Sequence, residues 1–252
     1  ISDQTSAVFA KEMRYLLRNT ATYLTIISAL IFPLVLFRSP QRASSGRGFG
    51  WADGLVGVLW IGYVFALNLH YFASIFAFDA AGFRQYLLAP LDWRRILIGK
   101  NMATWLLLAT EILAIICGIY LVDGYISPQR IFFTICSMLI ALAIYSTIGN
   151  YLSIYFPYRV NYGIPAKRSS EKWSGINFIA QLGLLVGVAA LMAVPTGVGF
   201  LLKSRLAQYL MFILLVVVTW AIYAALLNTQ ARALDKRRFE IAEALTRKTE
   251  KV

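Results

Sequence analysis

The chain has 252 residues, 59% hydrophobic and 14% charged, where soluble domains run nearer half apolar and a quarter charged. Its mean hydropathy is +0.66 and its apolar residues fall in long runs, which excludes an ordinary soluble domain. A net charge of +12 would suit a nucleic-acid partner only on a basic face of a soluble fold; here Lys and Arg occupy the short gaps between apolar runs, so membrane topology is the simpler cause and no nucleic acid is expected.

Cys117 and Cys136 both lie in apolar runs and read as small core residues. Without a CxxC or a Cys/His cluster there is no metal or disulfide framework. The chain begins at Ile1, and Lys11, Glu12, Arg14 and Arg18 interrupt any signal-peptide core. The start at Ile1 rather than Met is expected to follow from residues lost before it, as in the tail part of a longer polypeptide.

A helix needs about 20 mostly apolar residues to cross the hydrocarbon, and the chain has room for six. Before the first, Ser6 to Asn19 places Val8, Phe9, Met13, Leu16 and Leu17 at helical spacing, which predicts a helix lying in the interface. The first span runs from Thr20 to Phe37, with Pro33 near its far end, and a polar loop follows from Arg38 to Gly50. Trp51 to Phe78 is the second span; its Asn68 and His70 must face protein or water.

Asp79 to Asn101, DAAGFRQYLLAPLDWRRILIGKN, is amphipathic, carries Arg84, Arg94, Arg95 and Lys100, and has Pro90 at its centre. Two short helices meeting at Pro90 are predicted. Met102 to Val122 is the third span, and Gly124 and Pro128 mark a turn before the fourth, Ile131 to Tyr155. A basic loop from Phe156 to Ser174 precedes the fifth, Gly175 to Val194, where Gly183 and Gly187 have a spacing that allows close helix contact. Thr196, Gly197 and Gly199 are expected to break the helix, leaving a short re-entrant or interfacial piece over Pro195 to Leu206. Ala207 to Leu227 is the sixth span, and Asn228 to Val252 a charged, helical tail. With the N-terminus cytoplasmic, 18 of the 24 Lys and Arg fall in inside segments, so the positive-inside rule places both termini and the Asp79–Asn101 insert in the cytoplasm. The fold class is thus a single all-α polytopic membrane domain.

No phosphate-cradling GxxxxGK[ST] loop exists, because Gly99-Lys100 is followed by Asn101 and has no glycine five residues earlier. His70 has only Ser74 at i+4, so no enzymatic site is expected and the chain itself binds no cofactor. Glu111 is either a group on a proton or cation pathway or an acid hydrogen-bonded to a neighbouring helix. Phe65, Tyr71, Phe72 and Phe76, with Asn68 and His70, are candidates to line a pathway along the second span.

This order of elements resembles the permease of an ABC-2 type ATP-binding cassette exporter. The resemblance covers nearly the whole chain by topology, and GFRQYLLAPLDWRRILIGKN resembles that family's short helix, Leu-rich turn with a proline, Arg pair and Gly-Lys leading into span three. It implies that the insert is a coupling helix docking into a cleft on a separate ATPase subunit, which carries the ATP and Mg. Phe83, Arg84, Tyr86, Leu87, Leu88, Pro90, Trp93, Arg94 and Arg95 would then make the contact, the apolar members filling the cleft. It also implies a second permease half, whether homodimer, heterodimer or fused mate, and a bacterial inner membrane. The loop between spans five and six is shorter than in some relatives. A secondary transporter and a non-transporting scaffold or sensor subunit are the rival readings.

Overall fold

A computed structural model describes residues 2–19, 22–28, 31, 51–73, 75–77, 79, 82–88, 91–157 and 171–246. The expected first span and the loop after it therefore lie largely outside the described residues, as do Pro90, residues 158–170 of the basic loop and residues 247–252 of the tail.

Helix boundaries follow local chemistry. Helix α1 (Asp3–Arg18) starts at Ser2, whose side chain accepts from the Thr5 N–H, and carries Asp3 in its first turn and Arg18 in its last, each suited to the helix dipole. Its buried positions, Thr5, Val8, Glu12 and Leu16, recur every three or four residues and so define one face. Helix α2 is Trp51–Ala73 and helix α3 the six residues Phe83–Leu88. Helix α4 (Trp93–Asp123) is capped by Asp92, which accepts from the Arg94 N–H at 3.0 Å. Helix α5 (Pro128–Tyr155) is capped by Ser127 and has Pro128 in its first turn, where its missing N–H is harmless. Helices α6 (Glu171–Leu201) and α7 (Arg205–Thr246) are joined by three residues, 202–204.

Among the described residues, four helical stretches are long and apolar enough to cross a membrane: Trp93–Leu121, Pro128–Tyr155, Leu182–Leu201 and the one within Arg205–Thr246. Helix α2 adds a shorter apolar stretch, Val58–Asn68. The described part of the chain is helical throughout apart from short turns and loops, and its several long apolar helices mark a multi-pass membrane protein.

Three expectations change. The break at Thr196–Gly199 is not there: α6 continues through Pro195 to Leu201. Proline and glycine are tolerated in a membrane helix where neighbours satisfy the freed backbone groups. In addition, Thr196 is buried beside α7, within 3.4 Å of Gln208 Nε2. The second half of the insert is likewise not a separate short helix, because Trp93–Lys100 forms the first two turns of α4 and runs unbroken into the third span. Cys117 is exposed, while Cys136 is buried.

In hydrocarbon, helices gain little by hiding apolar surface, so close packing and interhelical hydrogen bonds must hold them. Both are present. A Cβ at Gly149 of α5 would lie 2.5 Å from the Phe72 carbonyl oxygen of α2, and one at Gly99 of α4 would lie 2.9 Å from that of Thr5 in α1. Only glycine permits either approach. Gly183 and Gly187, by contrast, meet nothing within 4 Å. Trp105 Nε1 donates to Ser146 Oγ at 2.7 Å, joining α4 to α5. Asn101 Nδ2 donates to Tyr223 Oη at 3.0 Å, joining α4 to α7. Asn150 and Gln230 join α5 to α7: Asn150 Nδ2 donates to Gln230 Oε1 at 2.8 Å and Gln230 Nε2 to the Thr147 carbonyl at 2.9 Å. Such bonds contribute on the order of 0.6–2 kcal/mol each.

The interior has two main parts. One gathers Phe65 of α2, Leu108 and Ile112 of α4, Tyr145 of α5, Met192 of α6 and Phe212 of α7. The other lies at the end of the bundle where α3, the start of α4 and the far part of α7 meet, around Phe83, Trp93, Leu97, Leu234 and Ile241.

Candidate functional site

The insert is built on a buried cluster of charges. After α2 the chain turns through Asp79, whose N–H donates to the Phe76 carbonyl at 3.1 Å and whose own carbonyl accepts from the Gly82 N–H at 2.7 Å. This turn directs the Asp79 carboxylate inward, at 2% side-chain exposure. Lys100 Nζ lies 2.7 Å from Asp79 Oδ2 and 2.7 Å from Glu12 Oε1, and donates to the Ile75 carbonyl at 3.2 Å. Lys11 Nζ donates to Asp79 Oδ1 and, at 2.8 Å, to Tyr86 Oη.

Two cations thus face two carboxylates across α1, the Asp79 turn, α3 and α4, and the cluster is neutral. Burial acts most strongly, to lower the Lys11 pKa, but the Asp79 carboxylate and the Tyr86 hydroxyl beside it together hold the ammonium above its ordinary value. Burial pushes the Tyr86 phenol up, against a partial opposing effect of Lys100. A complete set of partners is what makes buried charge tolerable; taking one away leaves its counterpart stranded. Lys100 stood out in the sequence only for its sign and Glu12 only as an interruption, although both bear charge next to apolar runs.

The side chains assigned to docking divide by exposure. Phe83 is fully buried, Tyr86 and Trp93 are buried, and Leu87 packs partly against them. The Phe83 ring lies edge-on to Phe76 at 5.3 Å and stacks on Trp93 at 6.1 Å. Trp93 Nε1 donates to Asp235 Oδ1 of α7 at 2.8 Å. The expectation that Phe83, Tyr86 and Trp93 point outward into a partner's cleft is therefore corrected: the far part of α7 supplies Leu234, Ile241 and Leu245, which cover them from within the same chain. Arg84, Leu88, Arg94 and Arg95 remain exposed. Leu88, a large apolar side chain at the last residue of α3, is 87% exposed. Arg84 Nη2 donates to Thr246 Oγ1 at 3.2 Å and Arg95 Nε pairs with Asp92 Oδ2 at 3.3 Å.

The described pathway candidates, Phe65, Asn68, Tyr71 and Phe72 on α2 and Phe76 just after it, are packed, not open. The Phe65 and Phe72 rings stack at 5.5 Å, and both lean on Tyr145 of α5, at 4.7 and 5.5 Å. Tyr71 Oη lies 2.9 Å from Thr22 Oγ1. Phe76 belongs to the cluster around the insert, with Lys100 Nζ 5.5 Å above its ring. The His70 side chain lies outside what is described. Asn68 and Glu111 come together: Asn68 Nδ2 donates to Glu111 Oε2 at 2.7 Å and to the Val64 carbonyl at 2.9 Å. That is the bond to a neighbouring helix weighed for Glu111, joining α2 to α4. Among the described residues, no three His, Cys, Asp or Glu side chains are grouped so as to hold a metal ion.

Compared with family models, with curated proteins and with solved structures, the chain matches none.

Proposed function

We propose that the chain is the permease subunit of an ATP-driven exporter of the ABC-2 type, with the Asp79–Asn101 insert as its contact to a separate ATPase subunit. On this reading both termini and the insert are cytoplasmic, six helices cross the membrane, and a second permease half completes a path for an apolar or amphipathic substrate across a bacterial inner membrane. The chain has no catalysis of its own.

The observation that supports it best is the build of the insert. A short helix with outward Arg84 and Leu88, followed by outward Arg94 and Arg95, stands on a base fixed to three other elements. Phe83 and Trp93 bind that base to α7, and Lys100 binds it to α1 and the Asp79 turn. A contact surface with so stiff a base passes a push from a partner directly into α4, because Trp93–Lys100 and the membrane span are one helix.

Arg94→Glu with Arg95→Glu tests it. The double variant should fold as the wild type does, since both side chains are exposed, while an ATPase partner should co-purify at least about ten-fold less, as expected for reversing two interfacial charges. Unchanged co-purification and unchanged ATP turnover would remove these residues from the contact. The Asn68–Glu111 pair is the one feature favouring a secondary transporter instead. Flux that stops when the proton gradient is dissipated with ATP intact would select that reading.

A further inference from the structure

The exposed face of α7 changes chemistry without changing direction. From Leu206 to Ala225 every exposed position is apolar, a length of about 30 Å and so about one hydrocarbon thickness. From Ala225 the same stripe continues at helical spacing through Thr229, Arg232 and Lys236, all exposed. These three residues, with Tyr155 at the end of α5, line a groove of about 360 Å³.

The cations around the groove are not equivalent. Arg237 is committed: it pairs with Glu240 at 2.9 Å, donates to the Ile154 carbonyl at 3.3 Å and lies 4.8 Å over the Tyr155 ring. Arg238 is paired with Asp235 at 3.0 Å. Arg232, in contrast, donates at 3.4 Å to the Asn228 carbonyl of its own helix, and among the described residues no carboxylate pairs with Arg232 or Lys236.

We propose that this groove binds the phosphate of an anionic phospholipid headgroup, whose acyl chains lie along Val218, Ile222 and Ala225. Arg232 lies about 10 Å beyond Ala225 along the helix, and the flexible stems of Arg232 and Lys236 reach back towards the headgroup layer. The lipid is favoured over a free anion because the acyl-bearing face and the two cations are consecutive on one stripe. Basic residues just beyond a membrane helix interact with anionic headgroups at about five-fold in affinity per charge. The inference depends on α7 crossing a bilayer and is independent of any role in transport.

Native mass spectrometry of the full chain, released from micelles doped with equal phosphatidylglycerol and phosphatidylcholine, tests it. The wild type should retain phosphatidylglycerol over phosphatidylcholine by about ten-fold or more. Arg232→Gln with Lys236→Gln should abolish the preference, Arg232→Gln alone should weaken it about five-fold, and Arg232→Lys should keep it. Equal retention of the two lipids by the wild type, or an undiminished preference in the Gln variants, would overturn the proposal. Displacement of the lipid by millimolar inorganic phosphate would overturn it too, by marking a site for the free anion. Unchanged helicity and monodisperse elution of the single variant separate lost binding from lost folding.

Discussion

Glu111 and Lys100 lie about three turns apart on α4, each almost wholly buried at 1% and 3% exposure, yet they are accommodated in opposite ways. Glu111 meets one neutral amide, from Asn68, and its Oε1 has no hydrogen-bond partner among the described residues. Lys100 has two carboxylates and a carbonyl within 3.2 Å, and a second lysine balances the charge. The acid in the span ties one helix to one other. The lysine at the base of the insert belongs to a cluster that, with Lys11, ties four elements together, so the two centres should differ sharply in what they contribute to the fold.

The largest difference should appear on removing the lysine. Lys100→Met leaves Glu12 and Asp79 buried beside each other, which should destabilise the protein by about 3–5 kcal/mol, read as a lower thermal midpoint in detergent. Adding Glu12→Gln restores neutrality, with Lys11 still facing Asp79, and should recover about half of that loss. A double variant no better than the single one would show that charge balance is not what holds the base.

A smaller effect is expected at Lys11, whose side chain is 47% exposed and so partly screened by solvent. Its folded pKa lies above the unfolded one, so its contribution is fully present below the ordinary lysine value near about 10.4 and is lost as pH rises through the raised value. Lys11→Ala should thus lower stability by about 1 kcal/mol or less, uniformly between about pH 6 and pH 9. The gap should close only in more alkaline solution. A gap that closes near neutrality would contradict the pairing with Asp79.

The smallest effect is predicted in the span. Glu111→Gln keeps an oxygen to accept from Asn68 and should shift stability by less than about 1 kcal/mol. A loss as large as that of Lys100→Met would mean that the two centres are not of different kinds. A marked change in the pH dependence of transport would give Glu111 a place on a pathway.

How much of this was legible in the sequence varied by element. The helices containing Met102–Val122, Ile131–Tyr155 and Ala207–Leu227 were, because an apolar run of such length has few alternatives. The end at Tyr155 was legible too, but not the start of α4 at Trp93 or the run of α7 on to Thr246 as one helix. Pro195 and Gly197 weaken a helix by local preference, but Gln208 and the rest of α7 pack against α6 and override it. Phe83, Tyr86 and Trp93 form an apolar face on a short amphipathic segment, and such a pattern does not tell whether a partner or the chain's own tail covers it. That the tail does so depends on α7 doubling back over the insert some 140 residues later, a relation with no local signal. The charged cluster was hidden for the same reason, since Lys100 and Glu12 are 88 residues apart.

Helix α7 has no glycine or proline from Arg205 to Thr246, and those residues are the usual sites of a sharp bend. Its 42 residues make a rod about 63 Å long with no built-in hinge. A rotation of about 5° around its midpoint displaces each end by about 3 Å. A push on Leu234 or Ile241 through the insert would therefore tend to lever the far turn at residues 202–204 in the opposite sense, resisted by the packing of α7 on α4, α5 and α6 through Tyr223, Trp220 and Gln208.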